Sequence, residues 1–304
     1  MAPLVDFHTH FFSHALFEAL AAVSPLKGST RERLERVSRS LGLQLPPDDP
    51  AQLLDRWLGE MERHGVSHLV SFASVPEETA LLIEVAGRAR GKLSAFTVVD
   101  PTRRDALQRL SGPLEAKQIR GVLLLPALHH YRLDGPEALA LFELLEDHRA
   151  PAVVHCGIFR MPLRERLGLA RELDLALGNP LSLVPAADRF PTLPFVIPCF
   201  GSGFLRETLM VGAQCPNVYV DTSSSNSWIA TQSSRMSLAD VFERALAVLG
   251  PERILFGTDS SSFPRGWRRD LFLAQKEALG ACGVSEEQRS RILGLNAAHL
   301  LHLT

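Results

Sequence analysis

Short, nearly continuous apolar runs recur along this chain and alternate with longer amphipathic stretches, an arrangement that few folds accommodate. Runs at Pro3–His8, His68–Ala73, Leu93–Val98, Gly121–Leu125, Ala152–His155, Phe195–Cys199, Val218–Asp221 and Ile254–Thr258 read as strands. Helical periodicity falls between them, at Gln52–His64, Glu78–Arg90, Arg103–Leu110, Pro136–His148, Phe204–Gln214, Leu238–Leu249 and Trp267–Leu279. Strands separated by helices pair in parallel through crossover connections. Runs such as Val122-Leu123-Leu124-Leu125 and Phe195-Val196-Ile197 are apolar throughout, as expected where both faces of a sheet are covered. Eight such units predict an α/β fold, a (β/α)8 TIM barrel, and 304 residues suit one such domain over 1–304.

Two segments exceed the minimal barrel. Residues 11–50 form an insertion after strand one, with helical patterns at Ala15–Val23 and Arg31–Leu41 closed by Pro46-Pro47. Residues 157–180 form a second insertion after strand five, with a helix expected over Leu163–Leu173. Both leave the C-terminal ends of strands, where barrel enzymes build their sites, so they are candidate lids or specificity loops. The stretch Ser285–Leu303 reads as a helical cap.

Composition narrows the function classes. A formal net charge of −2, with Lys and Arg spread along the chain, gives no basic field for nucleic acid. No apolar stretch has the ~18 residues of a membrane span, and the first strand begins too early for a signal peptide. The four cysteines, Cys156, Cys199, Cys215 and Cys282, form no C-x-x-C pair and no disulfide framework, so a reducing cytoplasm is expected.

The chemistry-capable residues sit where strands end. His8 and His10 form a His-x-His pair, and side chains two apart on a strand point to one side. His155 ends strand five and Asp259 ends strand eight. In a parallel barrel these ends meet at one mouth. Three neutral imidazoles and a carboxylate would hold one divalent cation, with a position left for water or substrate. That donor set favours Zn2+ and also admits Mn2+. Asp6 shares the parity of the two histidines and is expected to support them.

With these motifs in place, the chain resembles the amidohydrolase superfamily, in the branch that holds aminocarboxymuconate-semialdehyde decarboxylase, γ-resorcylate decarboxylase and several lactone hydrolases. The resemblance rests on Asp6–His10, Val98-Val99-Asp100-Pro101, Val154-His155, Phe200-Gly201-Ser202-Gly203, Val218-Tyr219-Val220-Asp221-Thr222-Ser223, Phe256-Gly257-Thr258-Asp259 and Asn296-Ala297. It implies that His8, His10 and His155 bind the metal, and that Asp259 both ligates it and moves protons. Homodimers are common in such relatives.

Two departures bear on activity. Strand six usually ends in a histidine before the Gly-x-Gly turn; here the segment reads Val196-Ile197-Pro198-Cys199-Phe200. Strand four often carries Lys-Leu-His-Pro; here it is Leu123-Leu124-Leu125-Pro126, and without the lysine one metal is expected rather than two. Cys199 is either an inert buried thiol, a thiolate near the cation, or the mark of a barrel that has lost its chemistry. Arg206 is either a bidentate clamp for a substrate carboxylate or a surface residue at a helix start. His129 and His130 are exposed loop residues or substrate donors, and Trp228 is a candidate pocket wall.

The leading expectation is metal-assisted hydrolysis of a small lactone, amide or related carboxylate, with Asp259 as general base and then general acid. Two alternatives stand beside it: non-oxidative decarboxylation of an aromatic or unsaturated acid held by Arg206, and a binding barrel without turnover.

Overall fold

The computed structural model describes residues 2–170, 172–224 and 226–303. Strands β1 (Val5–His10), β2 (His68–Ala73), β3 (Leu93–Val99), β4 (Gly121–Leu124), β5 (Ala152–Val154), β6 (Phe195–Ile197), β7 (Val218–Asp221) and β8 (Ile254–Leu255) form one sheet in chain order. Every neighbouring pair is parallel. Helices α1 (His14–Ala22), α2 (Thr30–Leu41) and α3 (Pro50–His64) separate β1 from β2. The later crossovers hold α4 (Thr79–Arg88), α5 (Ala106–Glu115), α6 (Pro126–His129), α7 (Pro136–Asp147), α8 (Pro162–Arg166), α9 (Val184–Arg189), α10 (Leu205–Gln214) and α11 (Leu238–Leu249). After β8 come α12 (Arg269–Ala281), α13 (Glu286–Ser290) and α14 (Asn296–Leu300).

The sheet closes on itself through a short seam. Phe7 N–H donates to the Phe256 carbonyl, His10 N–H to Ser260 and Asp259 N–H to His8, each at 2.8 Å. Thr9 and Ser260 form a parallel bridge across the same seam. The chain is therefore a (β/α)8 barrel, as the alternation of strands and helices predicts.

Side-chain alternation divides the apolar residues into two layers. Phe7, Phe72, Phe96, Leu123, Val153 and Val196 fill the lumen, with Phe96 edge-on to Phe72 and Phe7 at centroid distances of 5.2 and 5.9 Å. Val122, Leu124, Val154, Phe195 and Val218 face outward onto helix residues such as Trp57, Phe142 and Leu145. A lumen packed in this way is no channel, so binding and chemistry belong to the mouth.

The two insertions share one apolar cluster: Leu16, Phe17 and Leu20 of α1 and Leu34 and Val37 of α2 pack with Leu163 and Leu167. The second insertion is less helical than its sequence suggests. Helix α8 stops at Arg166, short of the expected Leu173, and Gly168 follows at φ +69°, a left-handed turn that apolar periodicity does not register. Arg171 lies outside the described residues. Strand β6 ends two residues early, because Pro198 has no N–H for the ladder and Cys199 and Phe200 turn left-handed at φ 56° and 51°. Among the described residues no helix is long and apolar enough to cross a membrane.

Candidate metal centre

His8 and His10 both lie within β1, and the strand is irregular there. Its register against β2 passes from Asp6↔Leu69 to Thr9↔Ser71, so one extra residue bulges out between them. Bulges re-aim side chains near functional sites. Despite the broken alternation, the two imidazoles converge, with ring centroids 5.3 Å apart.

Each ring is held through Nδ1. His8 Nδ1 donates to Asp221 Oδ2 at 2.7 Å, and His10 Nδ1 meets Ser74 Oγ at 2.9 Å. That leaves Nε2 of both rings free to act as donors of an electron pair. The carboxylate of Asp259, with Oδ1 3.4 Å from His10 Nε2, completes a group in which one ligand atom from each residue lies within 4.8 Å of the others. Two nitrogens and an oxygen so close together suit a divalent cation of the zinc or manganese type. Asp259 itself is left-handed at φ 56°, a conformation that Asp tolerates better than most residues. It is pinned by its N–H bond to the His8 carbonyl. Gly257 makes that approach possible: a Cβ there would stand 2.8 Å from His8 Cβ and 3.1 Å from Ser223 Cβ.

Charges sort the histidines. Burial depresses His8, but the carboxylates of Asp221, Asp259 and Asp6 outweigh it and hold the ring above its ordinary value. Asp221 is the counterpart: burial raises it, while the His8 charge and bonds from His8, Ser223 and Cys199 bring it below the usual carboxylate range. His10 falls well below its ordinary value through burial and then the charges of His8 and His155. Burial and the His8 charge bring His155 down to about 4. Neutral imidazoles are the form that binds metals, and the shifts favour that form at His10 and His155.

His155 is close enough to feel both other rings but does not join the tight group; its ring packs edge-on to Phe159 at 5.3 Å. Of the four ligands expected from sequence, three are thus gathered and the fourth stands at the edge. Among the described residues, Asp6 makes no hydrogen bond to either imidazole and acts on the His8 ring through its charge. Its carboxylate accepts from His8 N–H, Thr258 N–H, Thr258 Oγ1 and Trp267 Nε1 at 3.2, 3.0, 2.5 and 2.7 Å, tying β1 to the segment that carries Asp259.

The remaining candidates fare differently. Cys199 is buried, its Sγ 3.1 Å from Ser223 Oγ. Burial, followed by the charges of Asp221 and Asp259, pushes its thiol upward, which disfavours a thiolate. Its backbone N–H is engaged at the site, donating to Asp221 Oδ1 at 3.0 Å. The Arg206 side chain is 84% exposed and pairs with Glu207, so it fits the surface reading rather than the clamp. Trp228 is buried with Phe200, Leu205 and Phe242 behind β7 instead of walling the mouth. His130 is exposed and bonds the Glu172 carbonyl. The aromatic neighbours of the imidazoles are Phe12, 5.5 Å from His10, and Phe72, 4.7 Å from His8. Asp221 was not singled out from sequence; the available signal was a lone acid ending an apolar strand.

Known structures share this architecture. A 5-carboxyvanillate decarboxylase from Sphingomonas paucimobilis aligns over 100% of both chains at 14% identity, with a TM-score of 0.68. A dihydroxybenzoic acid decarboxylase from Polaromonas sp. JS666, solved with manganese and 2-nitroresorcinol, aligns over 100% of this chain and 98% of its own at 15% identity and TM-score 0.65. A putative 2-pyrone-4,6-dicarboxylic acid hydrolase from Pseudomonas putida covers 100% and 98% at 20% identity and TM-score 0.63. No curated protein sequence matches. The family model described as Amidohydrolase matches residues 5–303, from the first residue of β1 to beyond α14 and across every residue of the metal group. The chain belongs to the amidohydrolase family.

Proposed function

We propose that this protein is a metal-dependent hydrolase of a small lactone, amide or related carboxylate. The observation that carries the reading is the convergence of His8, His10 and Asp259 at the barrel mouth, with both rings oriented from behind. His8 Nε2, His10 Nε2 and an Asp259 oxygen would hold the cation, and His155, near enough for its charge to act on His10, would be a fourth donor. A divalent cation there supplies Lewis-acid polarisation of a carbonyl and acidifies water from 15.7 toward ~7. Asp259, with 42% of its side chain exposed to the mouth, takes the proton of the attacking water and returns it to the leaving oxygen or nitrogen. Asp221 keeps the His8 proton on Nδ1, so that Nε2 retains its lone pair. The phenyl rings of Phe12 and Phe72 exclude water from the side facing the histidines.

One observation favours a second reaction on the same residues. Phe12 and Phe159, both partly exposed, pack against His10 and His155, a lining suited to a planar unsaturated acid. In that case Asp259 delivers its proton to the carbon that loses carbon dioxide. Metal analysis followed by turnover of lactones and aromatic acids in labelled water separates the two. Hydrolysis places solvent 18O in the product, whereas decarboxylation in D2O places deuterium on carbon. Asp259→Asn should retain most of the metal and lose turnover; wild-type activity in that variant would overturn both schemes. Loss of all turnover on chelation, restored by Zn2+ or Mn2+, is expected of either.

A further inference from the structure

Glu78 is a buried acid that the chemistry above does not use. It is 1% exposed, in the turn between β2 and α4, and its carboxylate meets only donors. Oε1 accepts from both the N–H and the hydroxyl of Ser13, at 2.8 and 2.6 Å. Oε2 accepts from the Ser74 N–H at 2.8 Å. Ser74 is the residue whose hydroxyl holds Nδ1 of His10. Ser13 is the N-cap of α1, where the chain leaving His10 enters the first insertion.

One carboxylate therefore ties down both attachments of His10: the backbone that follows it and, through its N–H, the residue whose hydroxyl orients its ring. We propose that Glu78 is a positioning residue of the metal centre, holding His10 in its ligating orientation through Ser74 while locking the first insertion to the barrel through Ser13. The donor set favours the carboxylate over any neutral replacement, since ionised Glu is an acceptor at both oxygens. An amide would point its NH2 at an N–H and release either Ser13 or Ser74. Burial works in the opposite sense and pushes the carboxyl up to about 7, against the bonds from Ser13 and Ser74, which lower it. Packing alone would be served as well by Gln or Leu. The proposal rests on the metal reading above.

The test measures Zn2+ affinity by competition with a chromogenic chelator, the d–d spectrum of the Co2+-loaded protein, and the melting temperature without metal. Variants are Glu78→Gln, Ser74→Ala, Ser13→Ala and the double Ser74→Ala/Glu78→Gln. Wild type must first bind Zn2+; if it does not, the metal reading itself falls and this proposal with it. Given binding, Glu78→Gln should weaken Zn2+ about 10- to 100-fold, as loss of support behind a ligand does, and shift the Co2+ bands. Ser13→Ala, which touches no ligand, should weaken it by a smaller factor. The double variant should lose little more than Glu78→Gln alone, because the two residues act along one path. A lower melting temperature with unchanged Zn2+ affinity and Co2+ spectrum would reduce Glu78 to a structural role and overturn the proposal. Should Glu78→Gln fail to fold, Ser13→Ala and Ser74→Ala decide: wild-type affinity and spectrum in both would overturn it equally.

Discussion

Asp221→Asn is the substitution whose outcome the geometry fixes most closely. Asp221 is fully buried and accepts four bonds: from His8 Nδ1 at 2.7 Å through Oδ2, and through Oδ1 from Cys199 N–H, Ser223 N–H and the Ser223 hydroxyl at 3.0, 2.9 and 2.5 Å. Deleting the side chain would strand all of these donors at about 1–3 kcal/mol each, a sum comparable to the 5–15 kcal/mol that typically holds a domain together. Asparagine preserves shape and avoids that collapse. Its single oxygen must face the three donors at Oδ1, so its NH2 faces His8. The imidazole must then accept through Nδ1 and carry its proton on Nε2, the atom that would ligate the cation. Lost charge and inverted tautomer together should weaken Zn2+ binding about 10- to 100-fold, ~1.4–2.7 kcal/mol. Chelator competition gives the affinity directly. Melting with and without metal gives it again, since ligand at about 100 times its Kd stabilises by ~2.7 kcal/mol. A folded Asp221→Asn protein whose affinity stays within about twofold of wild type would refute the reasoning.

Three further outcomes follow from other parts of the molecule. Gly257→Ala should destabilise by about 1–3 kcal/mol in urea titration, because the new methyl meets His8 Cβ at 2.8 Å and neither backbone can yield freely; a neutral result would show that the segment after β8 yields at little cost. His68, bonded to the Gly91 carbonyl and the Ser94 hydroxyl, is brought from 6.5 to about 4 by burial and then by the Arg120 charge. The unfolded chain binds the extra proton first, so stability should fall between pH 6.5 and 4, by roughly 3 kcal/mol at the lower limit. His68→Gln, which keeps one donor and one acceptor, should flatten that part of the wild-type pH profile in denaturation at pH 7 and pH 4.5. Phe96→Ala, a fully buried ring in contact with Phe7 and Phe72, should cost about 3–5 kcal/mol in denaturant titration.

The strands were legible because a barrel strand is apolar on both faces and needs no alternation to be seen; β2 and β7 fall on the expected residues. The ends of β6 and β8 were not, since what halts them is backbone geometry: Pro198 and the left-handed turn after it, and the seam contacts that replace a ladder beyond Leu255. The convergence of His8, His10 and Asp259 was legible because strand ends of a closed barrel converge whatever their sequence separation. Where the His155 ring would settle was not, since it packs edge-on to Phe159, a residue of the second insertion. Asp221 and Glu78 escaped for a shared reason. Their significance lies in partners distant in sequence, Cys199 and His8 for one and Ser13 for the other, and single-chain spacing carries no trace of those pairings. For Arg206 spacing left a clamp and a surface residue both open, since a helix start beside a glycine turn suits either; its side chain faces solvent beside Glu207.

The seam between β1 and β8 gives the centre a mechanical meaning. His8 and His10 stand on one side of that join and Asp259 on the other, so a cation gripped by all three would rivet the cylinder at the place where its circumference is completed. The loaded protein should therefore open this join more slowly than the bare one.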